Sequence, residues 1–227
     1  MTTIAENLQS VRRRIARACE ASGRDVNEVT LLAVSKTFAP DAVREAFSAG
    51  QRAFGENYIQ EAVDKIAQLR DLPLQWHCIG PLQSNKTRWV AAHFDWAHSV
   101  DRLKIAQRLS EQRRADQPPL QVCLQVNIDG GPTKAGVAPE AAAALAREVA
   151  QLPRLALRGL MTIPDAAADF AAQKAVHLRA KALFDELRAQ GLALDTLSMG
   201  MTADLEAAIA AGSTMVRVGS AIFGRRG

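Results

Sequence analysis

Thr30-Leu31-Leu32-Ala33-Val34-Ser35-Lys36-Thr37-Phe38-Ala39-Pro40 reads as a buried strand, a tight connection and the start of a helix. The run is apolar and too short for a helix, and Pro40 suits the first helical turn, where its missing N–H costs nothing. Strand alternation puts Leu32, Val34 and Lys36 on one face, so an apolar strand delivers a single amine at its C-terminal end. No G-x-G-x-x-G turn follows this strand, which counts against an open dinucleotide-binding sheet.

Working outward, the same strand-then-helix unit recurs. Short β-rich runs fall at 30–36, 52–55, 75–79, 95–99, 120–127, 156–161, 194–197 and 214–218, with amphipathic stretches between them. Local punctuation supports the helices. Gly50, Gly191 and Gly212 stand where a helix must end, Asn57 with Gln60 makes a capping-box pattern, Asp101 opens another helix, and one more is predicted over 203–211. Eight such units predict a parallel sheet closed into a single (β/α)8 TIM barrel, with an open doubly wound sheet as the alternative. Residues 3–22 form an extra amphipathic helix ahead of the first strand, expected on the barrel's outside or bottom. Without a Gly/Ser/Pro-rich linker, residues 1–227 read as one domain, and the few residues after Val218 leave nothing for a second.

Composition narrows the function classes. The 227 residues are 48% apolar, enough for one sizeable core. Cys19, Cys78 and Cys123 are odd in number and lack C-x-x-C spacing, so neither a disulfide framework nor a thiolate metal site is indicated, and a reducing cytoplasm is expected. His93, His98 and His177 lack metal-ligand spacing. The N-terminus runs into Arg12, Arg13, Arg14 and Arg17 without the apolar stretch of a secretory signal, and no run is apolar enough to span a bilayer. The net charge of +4 is spread along the chain without stacking aromatics, which argues against nucleic acid and favours a phosphorylated small molecule.

Barrels carry their chemistry at the C-terminal ends of the strands. Those positions hold Lys36, Asn57, His77, Gln125, Asn127, Ser198 and Arg217. Lys36 reads either as an amine made nucleophilic by desolvation or as a lysine extending to solvent. Ser198-Met199-Gly200-Met201-Thr202 and Arg217-Val218-Gly219-Ser220 follow the last two strands, where barrels often hold phosphate. Gly200 and Gly219 let backbone N–H groups approach, and Ser198 and Ser220 offer hydroxyls, although each residue singly is also ordinary turn or cap chemistry. Gln125 and Asn127 are expected to point inward, as are Gln75 and His77, with His77 more readily a hydrogen-bonded core histidine than a base. Lys134 lies in Gly130-Gly131-Pro132-Thr133-Lys134-Ala135-Gly136, a loop near the mouth.

The blocks Ala33-Val34-Ser35-Lys36-Thr37, Phe54-Gly55-Glu56-Asn57-Tyr58, 77–86, 127–136, Arg158-Gly159-Leu160-Met161, Ser198-Met199-Gly200-Met201 and 216–224 occur in this order along nearly the whole chain. In them the sequence resembles the pyridoxal phosphate homeostasis protein family, small-barrel relatives of the alanine racemase N-terminal domain. The resemblance implies a fold-type III barrel lacking the racemases' C-terminal β domain, with pyridoxal 5′-phosphate held as a Schiff base on Lys36. It further implies phosphate contacts from Ser198, Gly200, Gly219 and Ser220, Arg217 facing the pyridine nitrogen, and Asn57 beside the ring. Thr202 stands where that family's pattern has serine, and both supply a hydroxyl.

Arg217 donates hydrogen bonds and does not accept them, so it disfavours a protonated ring nitrogen and weakens the electron sink that carbanion chemistry uses. Racemisation needs acid/base groups on both faces of a carbon; the related racemases take a tyrosine from their second domain, and Tyr58 is the one tyrosine here. The expected role is therefore cofactor buffering or delivery, with apo-enzymes of this cofactor as partners and a monomer as the working form. An amino-acid racemase is the second reading and a barrel for an unrelated phosphorylated metabolite the third.

Overall fold

In the computed structural model the described residues are 3–131 and 134–224; Pro132 and Thr133 of the loop singled out above, and the extreme ends of the chain, lie outside them. The strands are β1 (Thr30–Val34), β2 (Ala53–Glu56), β3 (Gln75–Cys78), β4 (Trp96–Val100), β5 (Leu120–Gln125), β6 (Leu155–Met161), β7 (Thr196–Ser198) and β8 (Met215–Val218). They pair in parallel, each with the next, and β1 closes on β8 through Thr30 opposite Met215 and Leu32 opposite Arg217. The expected closed barrel is thus observed, with every strand bound at or within a few residues of its expected position.

The helices are α1 (Ile4–Ala21), α2 (Pro40–Ser48), α3 (Ile59–Gln68), α4 (Thr87–His93), α5 (Leu103–Gln112), α6 (Pro139–Ala150), α7 (Phe170–Ala189), α8 (Leu205–Ala210) and α9 (Ser220–Phe223). Pro40 is the first residue of α2, and Gly50, Gly191 and Gly212 adopt φ of +88°, +92° and +99°, the left-handed conformation that ends a helix. Three helix starts differ from expectation. Asn57 and Gln60 form no capping box, because the Asn57 backbone is wedged against Gly80 and the chain turns helical two residues later, with Tyr58 at the cap. Asp101 pairs with Arg102 at 2.7 Å, and α5 begins at Leu103 with no side-chain cap. The helix expected over 203–211 is the shorter α8, since Asp204 is drawn back to the Met201 amide at 2.6 Å.

α1 packs on the outside of the barrel, across the seam where β8 meets β1. Thr3 and Glu6 cap it reciprocally, Arg14 bridges to Glu206 of α8, and the Asn7 side chain donates to Ile222 O of α9 at 2.9 Å. Leu8, Val11 and Ile15 recur on the face buried against the barrel.

Side-chain alternation sorts the sheet into two chemistries. The outward row, including Ala33, Phe54, Cys78, Ala97, Val122 and Leu124, joins the apolar layer beneath the helices. The inward row is mixed: Leu32, Ala53 and Met215 pack together, as do Trp96, Cys123 and Met161, while His77, His98, Ser198 and Arg217 bury polar groups among them. Among the described residues no helix is long and apolar enough to cross a membrane, and no three His, Cys, Asp or Glu gather as a metal site.

Candidate functional site

β1 ends at Val34, and Ser35 still donates to Gly55 O of β2 at 3.0 Å, so the sheet's pleat continues into Lys36. Lys36 is half-buried, and with Val34 it lines a cavity of about 370 Å³ at the C-terminal mouth of the barrel. Across that cavity lie Gly219 and Ser220, which follow β8, and Met201, Thr202 and Ala203, which follow β7. Gly219 owes its identity to proximity: a Cβ there would press on Val34 O at 3.1 Å. The expected meeting of an inward amine with two turns beyond β7 and β8 is therefore realised in one cavity.

Arg217 also lines the cavity and is only 4% exposed, so its edge is presented from a buried position. Nη1 donates to Ser198 O and Ser198 Oγ, both at 2.8 Å, and Nη2 donates to Thr162 O at 2.8 Å. Burial lowers its pKa to about 10, which leaves the guanidinium charged at neutral pH.

Ser198 and Gly200, expected as phosphate contacts, do not line this cavity. Ser198 is fully buried behind Arg217, and Gly200 sits at φ +92° with its carbonyl accepting from the Arg217 amide at 2.9 Å. A Cβ at Gly200 would lie 2.4 Å from that of Ala208. Both residues shape the seat of Arg217, and the hydroxyls on the cavity wall are those of Thr202 and Ser220. Asp204 organises the Thr202 segment by accepting from the Met201 amide and by meeting His177 Nε2 at 2.9 Å.

From Ser198 a polar chain runs through the barrel interior. Ser198 Oγ meets His98 Nδ1 at 3.1 Å, His98 Nε2 meets His77 Nδ1 at 2.9 Å, and His77 Nε2 meets Gln75 Oε1 at 3.1 Å. Gln75 Oε1 can only accept, so His77 donates to it from Nε2 and accepts at Nδ1 from His98 Nε2–H, which leaves His98 Nδ1 to accept the proton of Ser198 Oγ while that oxygen accepts from Arg217. That assignment makes His98 the Nε2–H tautomer, donating to His77, which in turn donates to Gln75. Burial lowers the His77 pKa to about 3 and, with His77 and Arg217 nearby, pushes His98 well below its ordinary value. Both imidazoles are neutral, as the chain requires. His77 is thus a hydrogen-bonded core histidine, stacked on Trp96 with ring centroids 5.1 Å apart.

Asn57 is half-buried on the cavity wall, as the sequence placed it. Its backbone meets Gly80 so closely that a Cβ on residue 80 would sit 2.2 Å from Asn57 O. Tyr58 is 53% exposed and outside the lining. Lys134 is bound by Asp129 at 2.5 Å and Asp165 at 2.9 Å beside the mouth and does not line the cavity. Gln125 is buried and reaches Ala135 O, but Asn127 turns into its own loop and donates to Gly131 O at 2.8 Å. The sequence assigns no site role to His98 or to the ion-paired Lys65 and Glu56, because nothing in the spacing of a buried histidine or a helix lysine reveals its cross-barrel neighbour.

The sequence matches the alanine racemase N-terminal domain family over residues 4–227. The pyridoxal phosphate homeostasis protein of Pseudomonas aeruginosa is 62% identical over 226 residues, covering 100% of this chain and 97% of the relative. This chain belongs to the pyridoxal phosphate homeostasis protein family. The homeostasis protein of Escherichia coli K12 is 53% identical over 229 residues, covering 100% of this chain and 98% of that one. Among solved structures, PipY of Synechococcus elongatus PCC7942 with pyridoxal phosphate bound superposes with a TM-score of 0.85 at 40% identity, covering 98% of this chain and 100% of PipY. PipY thus shares the barrel described above over 98% of this chain.

Proposed function

We propose that this chain holds pyridoxal 5′-phosphate as a Schiff base on Lys36 and serves its intracellular homeostasis by buffering or delivering it. The observation that carries the reading is that Lys36, Arg217 and the Gly219–Ser220 turn line one cavity. The donor set fits the group: an amine for the aldehyde, a guanidinium edge for the ring nitrogen, and hydroxyls and backbone amides of Thr202, Gly219 and Ser220 for the phosphate. First-turn amides lack partners within their own helix, which suits them to an anion. When bound, the cofactor supplies an aldehyde and an electron-poor ring. Lys36 Nζ condenses with that aldehyde, a C=N bond forming as the carbonyl oxygen leaves as water.

Arg217 favours carrying over catalysis. Locked to Ser198 and Thr162, it offers the ring nitrogen donors alone, which favours the unprotonated ring. The tyrosine that a racemase reading needs is Tyr58, which is exposed and does not line the cavity. The same proposal takes the working form as a cytoplasmic monomer, with apo-enzymes of the cofactor as recipients.

The test is borohydride reduction of the protein with pyridoxal phosphate, followed by peptide mass mapping. The adduct is expected on Lys36, and Lys36→Ala is expected to lose the yellow colour while retaining reversible binding through the phosphate turns. An adduct on Lys134, or a colourless protein, would refute the assignment. Transfer of the cofactor to an apo-enzyme without amino-acid turnover distinguishes carrier from racemase.

A further inference from the structure

Lys65, on α3 outside the barrel wall, is 3% exposed, and Glu56 at the end of β2 is 0% exposed. A buried ion pair brings little net stability, because desolvation offsets the attraction. Its location is informative. Lys65 Nζ donates to Ser35 O at 2.9 Å, Glu56 Oε1 at 2.7 Å and Glu61 Oε1 at 3.2 Å, which uses all three ammonium protons. Glu56 Oε1 also accepts from Ser35 Oγ at 2.6 Å, and Glu61 Oε1 from the Thr37 amide at 2.8 Å. The residues grasped are the two that flank Lys36.

The segment between them needs such a grip. Phe38 N donates to Ser35 O at 3.1 Å, closing a four-residue turn whose third residue, Thr37, adopts φ +70°. That position favours glycine or asparagine, and a β-branched threonine there is strained. Held outside by Lys65 through Glu56 and Glu61, the turn directs the intervening side chain to the opposite face, into the cavity.

Building on the Schiff-base reading above, we propose that Lys65 is a positioning residue for Lys36: with Glu56 and Glu61 it fastens the peptides on either side so that the amine faces its aldehyde. Its removal weakens covalent capture and leaves non-covalent capture intact.

The experiment titrates the full chain and its Lys65→Met variant with pyridoxal 5′-phosphate, followed by imine absorbance, and separately with pyridoxine 5′-phosphate, an alcohol that forms no imine. Lys65→Met is expected to weaken the aldehyde about tenfold and the alcohol by less than about twofold. In a Lys36→Ala background the same substitution is expected to change neither, since the two residues act as one unit. Glu56, whose pKa burial already raises, can protonate and keep its bond to Ser35 when Lys65 is gone. Should Lys65→Met fail to fold, Glu61→Ala, which frees the Thr37 amide and one Lys65 proton from a carboxylate 37% exposed while the Lys65 bonds to Ser35 and Glu56 remain, carries the same selective expectation in smaller degree. Equal weakening of aldehyde and alcohol, or of neither, overturns the positioning role. Failure of the parent reading looks different: the unsubstituted chain then binds both compounds alike and shows no imine absorbance.

Discussion

Gly80 has no space for even a methyl group, since a Cβ there would meet Asn57 O at 2.2 Å and Asn57 Cα at 2.7 Å. Both obstacles are backbone, so the connection after β3 must shift. Gly80→Ala is expected to cost about 2 kcal/mol, within the range for overpacking, measured as a lower urea midpoint at unchanged m-value. Pyridoxal phosphate affinity should fall with it, because Asn57 is the residue displaced. The glycine was visible within a sequence block, but its reason was not, since Asn57 lies on a different strand–helix connection. Ser198 teaches the same lesson. Its place after β7 was legible, whereas its burial behind Arg217 follows from the size of the arginine that β8 brings beside it.

At the scale of elements, α1 is the clearest case of local sequence acting alone. Thr3 Oγ1 accepts from the Glu6 amide at 3.2 Å, and the Glu6 carboxylate accepts from the Thr3 amide at 2.8 Å. Thr3→Ala is expected to lose about 1 kcal/mol of stability, read from equilibrium urea unfolding, with cofactor affinity unchanged because Thr3 does not line the cavity and the bonds from Asn7 and Arg14 of α1 to the neighbouring turns remain. The two helix starts expected at Asn57 and Asp101 had equally good capping letters and did not form. The Asn57 backbone is wedged against Gly80 and Asp101 pairs with Arg102, so neither residue caps its helix. The turns proposed to hold the phosphate are likewise legible as Gly, Ser and Thr after the last two strands, while the hydroxyl that lines the cavity after β7 is that of Thr202.

On the scale of the whole molecule, closure brings β4 opposite β7 and so joins His98 to Ser198, which are 100 residues apart. This has a pH signature. As pH falls below 6.5 the unfolded chain protonates its imidazoles, but folded His77 resists until about 3 and folded His98 is also depressed. Stability from these groups is therefore full above pH 6.5 and declines as pH falls through that window, by at most about 1.4 kcal/mol per pH unit per imidazole. Glu56 has the opposite sign, since its raised folded pKa favours the folded state as pH drops. The histidine share is thus the difference between the protein and His77→Gln: the variant should show a shallower loss of urea-unfolding free energy between pH 7 and pH 5. An identical slope in both would show that His77 protonates freely in the folded state.

The sequence by itself determined the alternation of strands and helices, the single inward amine after β1 and the small, hydroxyl-bearing turns after β7 and β8. These follow from periodicity, turn chemistry and chain order, which act over a few residues. Only the tertiary structure decided which polar side chains meet: that Lys65 grips the peptides beside Lys36 from outside the wall, that His77, His98 and Ser198 orient Arg217 from within, and that Asn57 rests on Gly80. Those pairings depend on how the closed sheet and its helices fix distances between remote segments, and a burial cost that only a specific partner offsets leaves no periodic trace in the chain.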